Sequence, residues 1–321
     1  MTLAPHFVNP LSNQIAVSSL MLLVTIFCFA ILAALVLYRG NAKHILASNI
    51  GQRLIGWLLL TPLYFIGTFA GGVPGLLVLL LFMGGTIAEF AYIAKLENRF
   101  RNALFLLCVV SLVIAGFFPG IFYSLPLIYF LVITPLAIRL NKPDASFLQA
   151  AISMYASIWL IFSLCHLVLL TRLSTTYFDN THALTFFVIF AVALADIGGY
   201  IFGKLFHHLN FLDKYKVADK ISPNKTYIGT LGYIIGAGAG ICLFYFAVGT
   251  YMNTLQWTIV AVIIGVFSFM GGLTHSYFKR YFGVKDSGHV IPGHGGVMDR
   301  VDSISRVGVI LYYFLLAFVV K

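Results

Sequence analysis

The chain has 321 residues, of which 60% are hydrophobic and only 9% charged, whereas a water-soluble domain carries about a quarter charged residues. That balance excludes an ordinary soluble globular protein. The net charge of +10 is confined to stretches between long apolar runs, which argues against nucleic acid as a partner and for a membrane bilayer.

In chain order, the apolar runs are each long enough to cross a hydrocarbon core of about 30 Å at about 1.5 Å per residue. They predict about ten transmembrane helices, near 15–38, 54–70, 74–94, 103–118, 120–138, 149–170, 184–203, 228–248, 255–274 and 307–320. The first run is too long for a signal-peptide core and no basic residue precedes it, so a retained helix is expected. Cys28, Cys108, Cys165 and Cys242 all fall inside apolar runs with no CxxC spacing and read as small buried residues.

Apart from Arg172 and Lys321, every Lys and Arg falls in a loop on one side of these spans. The rule that basic loops stay inside puts both termini outside and those loops in the cytoplasm. The expected fold is an all-α polytopic transmembrane helix bundle in a bacterial inner (cytoplasmic) membrane, with a polar cavity on the cytoplasmic side. Glu89 stands alone in an apolar span, where a carboxylate needs a partner or a wet cavity. It reads equally as a helix-packing hydrogen bond or as part of a substrate cavity. Gly199-x-x-x-Gly203 and Gly236-x-x-x-Gly240 read as helix-packing features, with a homodimer as one use of such faces.

Two loops, 204–227 and 275–306, are longer than the rest and hold half of all Lys and Arg, together with Asp213, Asp219, Asp286, Asp299 and Asp302. Any chemistry is expected there. In the second, Lys279, Arg280, Lys285 and Arg300 lie close in sequence to Asp286, Asp299 and Asp302, and Pro292-Gly293-His294-Gly295-Gly296 leads into the final helix. Glycines let backbone N–H groups approach phosphate oxygens. If the chain is helical from 297, Asp299 and Asp302 share a face. Hard oxygen ligands beside phosphate-suited cations point to Mg2+ held by a few carboxylates and substrate phosphates. Zinc does not fit, because no thiolate is near and His289 and His294 lack a helical ligand spacing.

Upstream, Asp196 in Leu194-Ala-Asp196-Ile-Gly198-Gly199 lies about 10 Å inside a span, a depth that calls for a cation, metal or wet pocket. Lys214, Lys216 and Lys220 then lead to Ser222-Pro-Asn-Lys225-Thr226, where Ser222 can cap a turn and Lys225 can reach a phosphate.

The stretch 276–302 closely resembles the signature of the CDP-diacylglycerol synthase (phosphatidate cytidylyltransferase) family, S-x-x-K-R-x4-K-D followed by H-G-G-x-x-D-R-x-D, with every polar position filled. Asp196 resembles that family's buried aspartate, and 222–226 its S-P-x-K-T element. The element usually continues with an aromatic residue, Glu and Gly, but here it runs Tyr227-Ile228-Gly229. The resemblance implies N-terminal membrane helices in 1–140, a catalytic membrane region in 141–321, and cytidylyl transfer from CTP to phosphatidate, releasing pyrophosphate.

It further implies Asp196, Asp286, Asp299 and Asp302 as ligands of Mg2+ or of two metal ions. Lys285 and Arg300 would join Asp286, Asp299 and Asp302 in catalysis by stabilising the pyrophosphate charge. Ser222, Lys225, Ser276, Lys279, Arg280, His294, Gly295 and Gly296 would bind substrate, with His294 reading equally as a loop-packing residue. Two other classes fit the inventory less well: a CTP-dependent polyprenol- or phytol-type lipid kinase, and a non-catalytic lipid-binding or transport scaffold.

Overall fold

The structure, a computed structural model, describes residues 9–177, 183–206, 216–223, 225–248 and 252–320. Asp213, Lys214, Asn224 and Lys321 lie outside the described residues. The all-α expectation holds: regular structure among the described residues is helical, apart from two isolated bridges, Lys216 with Thr226 and Ile291 with Gly295.

Among the described residues, ten helices carry the fold: α1 (Gln14–Leu37), α2 (Asn49–Phe69), α3 (Gly72–Ile93), α4 (Asn98–Phe117), α5 (Leu125–Leu140), α6 (Pro143–Ser174), α7 (Ala183–Phe206), α8 (Tyr227–Leu243), α9 (Thr254–Tyr281) and α10 (Met298–Phe318). Nine of these segments, counting α5 with its preceding turn from Pro119, are long and apolar enough to cross a membrane, and α8 is a shorter apolar helix. Side chains such as Phe29, Leu77, Leu131 and Ile138 are exposed on the bundle's outside. Such a surface needs lipid as its solvent, and the chain is an integral membrane protein.

Local chemistry starts the helices. Asn13 caps α1, Ser48 caps α2, Thr226 caps α8, and Asn253 and Gln256 form a reciprocal capping box at α9. The spans expected at 255–274 and 307–320 are longer than read, extending to Tyr281 and starting at Met298. Hydropathy averages over all faces of a helix, so turns whose polar side chains point into the bundle look like loop. The span expected at 228–248 stops at Leu243, with a short separate helix at Tyr245–Val248. Cys108 and Cys165 are buried as expected, whereas Cys28 and Cys242 are exposed on the outer surface. A thiol is tolerated against lipid as well as in a core.

The centre is built by α7, α8, α9 and α10. Along the α7/α8 seam, a Cβ added at Gly198 would strike the backbone of Gly232 and Gly236, and one at Gly236 would strike Leu194. Gly240 presses on Ala191 in the same way. Backbones this close gain dispersion contacts that larger residues would prevent. Of the two glycine pairs expected to mediate packing, Gly236 and Gly240 do so within the chain, Gly199 does so by making room for the Tyr233 ring of α8, and Gly203 meets open space.

The loops sort to two ends. At one end, Gly293 lies against the backbone of Gln52 and Arg53, and Arg280 Nε donates to the Ile221 carbonyl at 3.3 Å. At the other, Arg172 donates to the Gly116 carbonyl at 2.9 Å and the Tyr123 and Tyr312 hydroxyls pair at 2.9 Å. A Gly236→Val substitution should push α7 and α8 apart and lower stability by about 2–3 kcal/mol, read as a fall in unfolding temperature in detergent; an unchanged temperature would contradict the seam.

Candidate active site

The loop between α9 and α10, residues 282–297, decides where the last helix begins. Gly293 and Gly295 adopt positive φ of 67° and 82°, conformations that side-chain-bearing residues rarely take. They let the chain double back, with Ile291 N donating to the Gly295 carbonyl at 2.9 Å and His294 N to the Ile291 carbonyl at 3.0 Å.

No side chain of its own segment caps α10. Glu89 of α3 does so instead, accepting from Val297 N through one carboxylate oxygen and from Met298 N through the other, each at 2.8 Å. Negative charge at a helix N-terminus is favoured by the unpaired N–H groups and the helix dipole. The approach is tight enough that a Cβ at Gly296 would collide with the Glu89 carboxylate and the Ser287 hydroxyl. Glu89 is therefore a helix-packing group, the first of its two readings.

In the first turn of α10, Asp299 accepts from Lys279 Nζ at 2.9 Å, the Ser287 hydroxyl, and Gly296 N at 3.0 Å. His275, only 2% exposed, places Nδ1 3.4 Å from Asp299 and 3.3 Å from Asp302. It joins the two carboxylates that helical spacing had put on one face. Behind them, the Ser303 hydroxyl donates to Asp196 at 3.4 Å. Lys225 Nζ sits 3.4 Å from the Phe269 carbonyl and 5.3 Å from the centre of its ring. Burial pushes the Lys225 ammonium below the ordinary lysine range, and the neighbouring Asp302 and Asp196 charges oppose that shift. Gly272 has no side chain because Lys225 occupies the space.

Asp299 and Asp196 of this cluster border a cavity of about 740 Å³, within the size range of small-molecule sites. Asp196, Asp286, His294, Gly295, Asp299 and Arg300 line it directly. Tyr64, Ile189 and Ile304 form part of its wall and also part of an apolar cleft that runs on between α2, α3, α6 and α10 past Gly67, Phe82, Leu164 and Val301. The polar space and the apolar space are therefore neighbours sharing three side chains. Arg300 Nε is buried without a hydrogen-bond partner.

The remaining expected residues are placed otherwise. Lys279, Asp302 and Lys225 stand behind the lining as ion-pair and electrostatic partners. Ser276 bonds back to the Gly272 carbonyl of its own helix, and the Ser222 carbonyl accepts from Lys225 N. Arg280 and Lys285 are exposed, the former tying α9 to the 216–223 segment. The Gly296 N–H is directed at Asp299. Asp286 is exposed at the cavity's edge. Among the described residues, no group of three or more His, Cys, Asp or Glu side chains converges tightly enough to hold a metal ion alone.

His294 combines its two readings, lining the cavity while its Nδ1 hydrogen-bonds the Pro292 carbonyl at 3.1 Å and its ring meets Trp57 edge-on at 5.6 Å. Burial pushes its imidazole below the ordinary range, and Arg300 and Arg53 add to the effect. His275, Arg53 and Trp57 were not legible as site residues. For His275 a signal existed: it precedes Lys279 by one helical turn and so shares its face. Arg53 and Trp57 reach the cavity only because Gly56 lets the 292–294 turn lie on α2.

Fold and site together define an integral membrane protein with a charged cavity that opens beside an apolar cleft. A model of the cytidylyltransferase family matches residues 51–318, and the chain belongs to that family. Phosphatidate cytidylyltransferases of Staphylococcus haemolyticus and Staphylococcus aureus (strain COL) are similar to it, at 40% identity over 40% of this chain and 47% of theirs, and 42% over 36% and 42%. The uncharacterized protein YnbB of Escherichia coli (strain K12) is 31% identical over 60% of this chain and 62% of its own length. The matched stretch thus spans between two-fifths and two-thirds of the curated relatives.

Replacing Glu89 with Gln removes the charge from both bonds and turns an NH2 donor toward one of the two N–H groups at the α10 start. Stability should fall by about 1–3 kcal/mol, measured by thermal unfolding in detergent, and wild-type stability would show that the cap is dispensable. His294 gives a pH test. Its folded-state pKa lies below the unfolded value, so the unfolded chain binds the extra proton, and stability should fall on acidification through the ordinary imidazole range near about pH 6.5. His294→Gln should flatten the unfolding-temperature profile between about pH 7 and pH 5; an unchanged slope would assign it elsewhere.

Proposed function

We propose that this protein transfers the cytidylyl group of CTP to phosphatidate, forming CDP-diacylglycerol and pyrophosphate. The observation that carries the proposal is the junction of a cation- and carboxylate-lined cavity with an apolar cleft, sharing Tyr64, Ile189 and Ile304. A diacyl substrate can keep its chains in the cleft and bilayer while its phosphate meets a soluble nucleotide in the cavity. The confinement of basic loops to one side supports a cytoplasmic cavity in a bacterial inner membrane.

The chemistry suits these residues. A phosphatidate oxygen attacks the α-phosphorus of CTP, a new P–O bond forms, the bond to the bridging oxygen breaks, and pyrophosphate leaves with that electron pair. A phosphate monoester with a second pKa of about 6 is already largely dianionic near neutrality, so no strong base is needed. Alignment and charge neutralisation remain. Arg300, with its free Nε, is placed to take phosphate oxygens. Lys225 and Lys279 lower the negative potential around Asp196, Asp299 and Asp302. His275 fixes the two α10 carboxylates relative to each other.

Asp196, Asp286 and Asp299 offer hard oxygen atoms at one cavity, too few to cage an ion but suited to Mg2+ completed by substrate phosphates and water. Bound there, Mg2+ would neutralise phosphate charge. Ile228, where the family usually has Glu, lies half-buried at the start of α8 and marks a difference in substrate or metal preference.

Purified protein incubated with phosphatidate, Mg2+ and CTP labelled at the α-phosphate should move label into the lipid phase with an equal amount of pyrophosphate. Asp299→Asn should lower that rate by at least about a hundredfold without changing the elution profile. Label retained in soluble CDP would instead indicate a lipid kinase, and wild-type turnover by Asp299→Asn would overturn the role given to that carboxylate.

A further inference from the structure

Further along α10 from the cavity, a groove of about 340 Å³ lies between α6, α9 and α10. Tyr155, Ile158 and Trp159 of α6, Phe267 of α9, and Arg306 and Val309 of α10 line it. Arg306 follows Met298 by eight residues, which places its Cα about 12 Å along the helix, within the apolar part of the bundle. Its Nε is buried without a hydrogen-bond partner, and no acidic side chain borders the groove. Trp159, 6% exposed, likewise has a buried indole N–H with no acceptor. Two unsatisfied donors, one of them charged, thus border one space.

The local backbone is shaped for this. Residues Ser157–Phe162 form a π-helical segment inside α6, an energetically poor geometry found mostly where function retains it. Ser163 donates to the Ile158 carbonyl at 2.9 Å, five residues back, within that widened turn. Tyr155 and Ile158, 42% and 46% exposed, leave the groove open on the bundle's lipid-facing side. A cation in hydrocarbon requires a counter-charge, and among the described residues no carboxylate stands within ion-pair distance of Arg306, Asp302 one turn earlier being engaged by His275.

We propose that the groove binds the phosphate of an anionic phospholipid from the leaflet on the cavity's side, held by the Arg306 guanidinium and the Trp159 indole N–H. Helical side chains tilt toward the N-terminus, so the guanidinium reaches back toward the headgroup level of that leaflet. Val309, one turn deeper, offers apolar contact to an acyl chain. A lipid whose headgroup carries an ammonium gains nothing extra, because no carboxylate is present to receive it. The groove shares no lining residue with the cavity and does not depend on the reaction proposed there.

Native mass spectrometry of the detergent-purified protein titrated with phosphatidylglycerol or phosphatidylcholine tests this, since neither lipid carries the phosphomonoester that the cavity would use. Wild type should retain phosphatidylglycerol in preference to phosphatidylcholine, and Arg306→Gln should weaken phosphatidylglycerol binding about tenfold. Equal retention of the two lipids by wild type, or undiminished retention by Arg306→Gln, would overturn the proposal. So would displacement of the lipid by millimolar inorganic phosphate, which would make free phosphate the ligand. If Arg306→Gln does not fold, quenching of tryptophan fluorescence by phosphatidylglycerol with brominated acyl chains decides. Trp159→Phe should remove most of the quenching, and quenching that survives it would place the lipid elsewhere.

Discussion

The site is organised around the point where α10 begins, and that point is set by a carboxylate belonging to another helix. Glu89 reaches the first N–H groups of α10 from 208 residues away in the chain. A short loop with two left-handed glycines delivers those groups to it. Because Asp299 and Asp302 are in the first turns of α10, any shift of its start would move both carboxylates together. A buried anion at a helix N-terminus is a rigid anchor, since its charge, the N–H groups and the dipole favour the same position.

From that anchor the nitrogen and carboxylate groups fall into alternating order. Lys279 and His275, one turn apart on α9, meet Asp299 and Asp302, one turn apart on α10. Lys225 and Asp196 extend the alternation to a third and a fourth element. Each charge has an opposite neighbour, which makes such a cluster tolerable at membrane depth. Arg306 breaks the alternation, and that exception carries the inference of a bound anionic lipid.

Much of the fold was legible because transmembrane helices are local objects. A run of apolar residues long enough to span a bilayer must satisfy its backbone internally, so length and hydropathy suffice to predict helix. The misread ends, at Tyr281, Met298 and Leu243, lie mostly where polar residues face inward and mimic loop. The chemistry of 276–302 was legible for the related reason that its cations, carboxylates and glycines are close in sequence. Of the residues expected to touch ligand, those at the cavity wall came from Asp196, the 282–297 loop and the start of α10, whereas Ser276, Arg280 and Lys285 are turned elsewhere by helix phase or exposure.

The sequence by itself determined that the chain lies in a membrane, that it is helical, and that a charged, glycine-containing segment leads into the last helix. Each of these depends only on residues within one turn, one span or one loop. Tertiary structure alone decided that Glu89 caps α10, that His275 joins two aspartates, that Gly198 and Gly236 rather than Gly203 form a seam, and that Arg306 is left without a counter-ion. Those outcomes depend on which face of one helix meets which face of another, and helix phase and crossing are set by packing across the whole bundle rather than by neighbours in the chain.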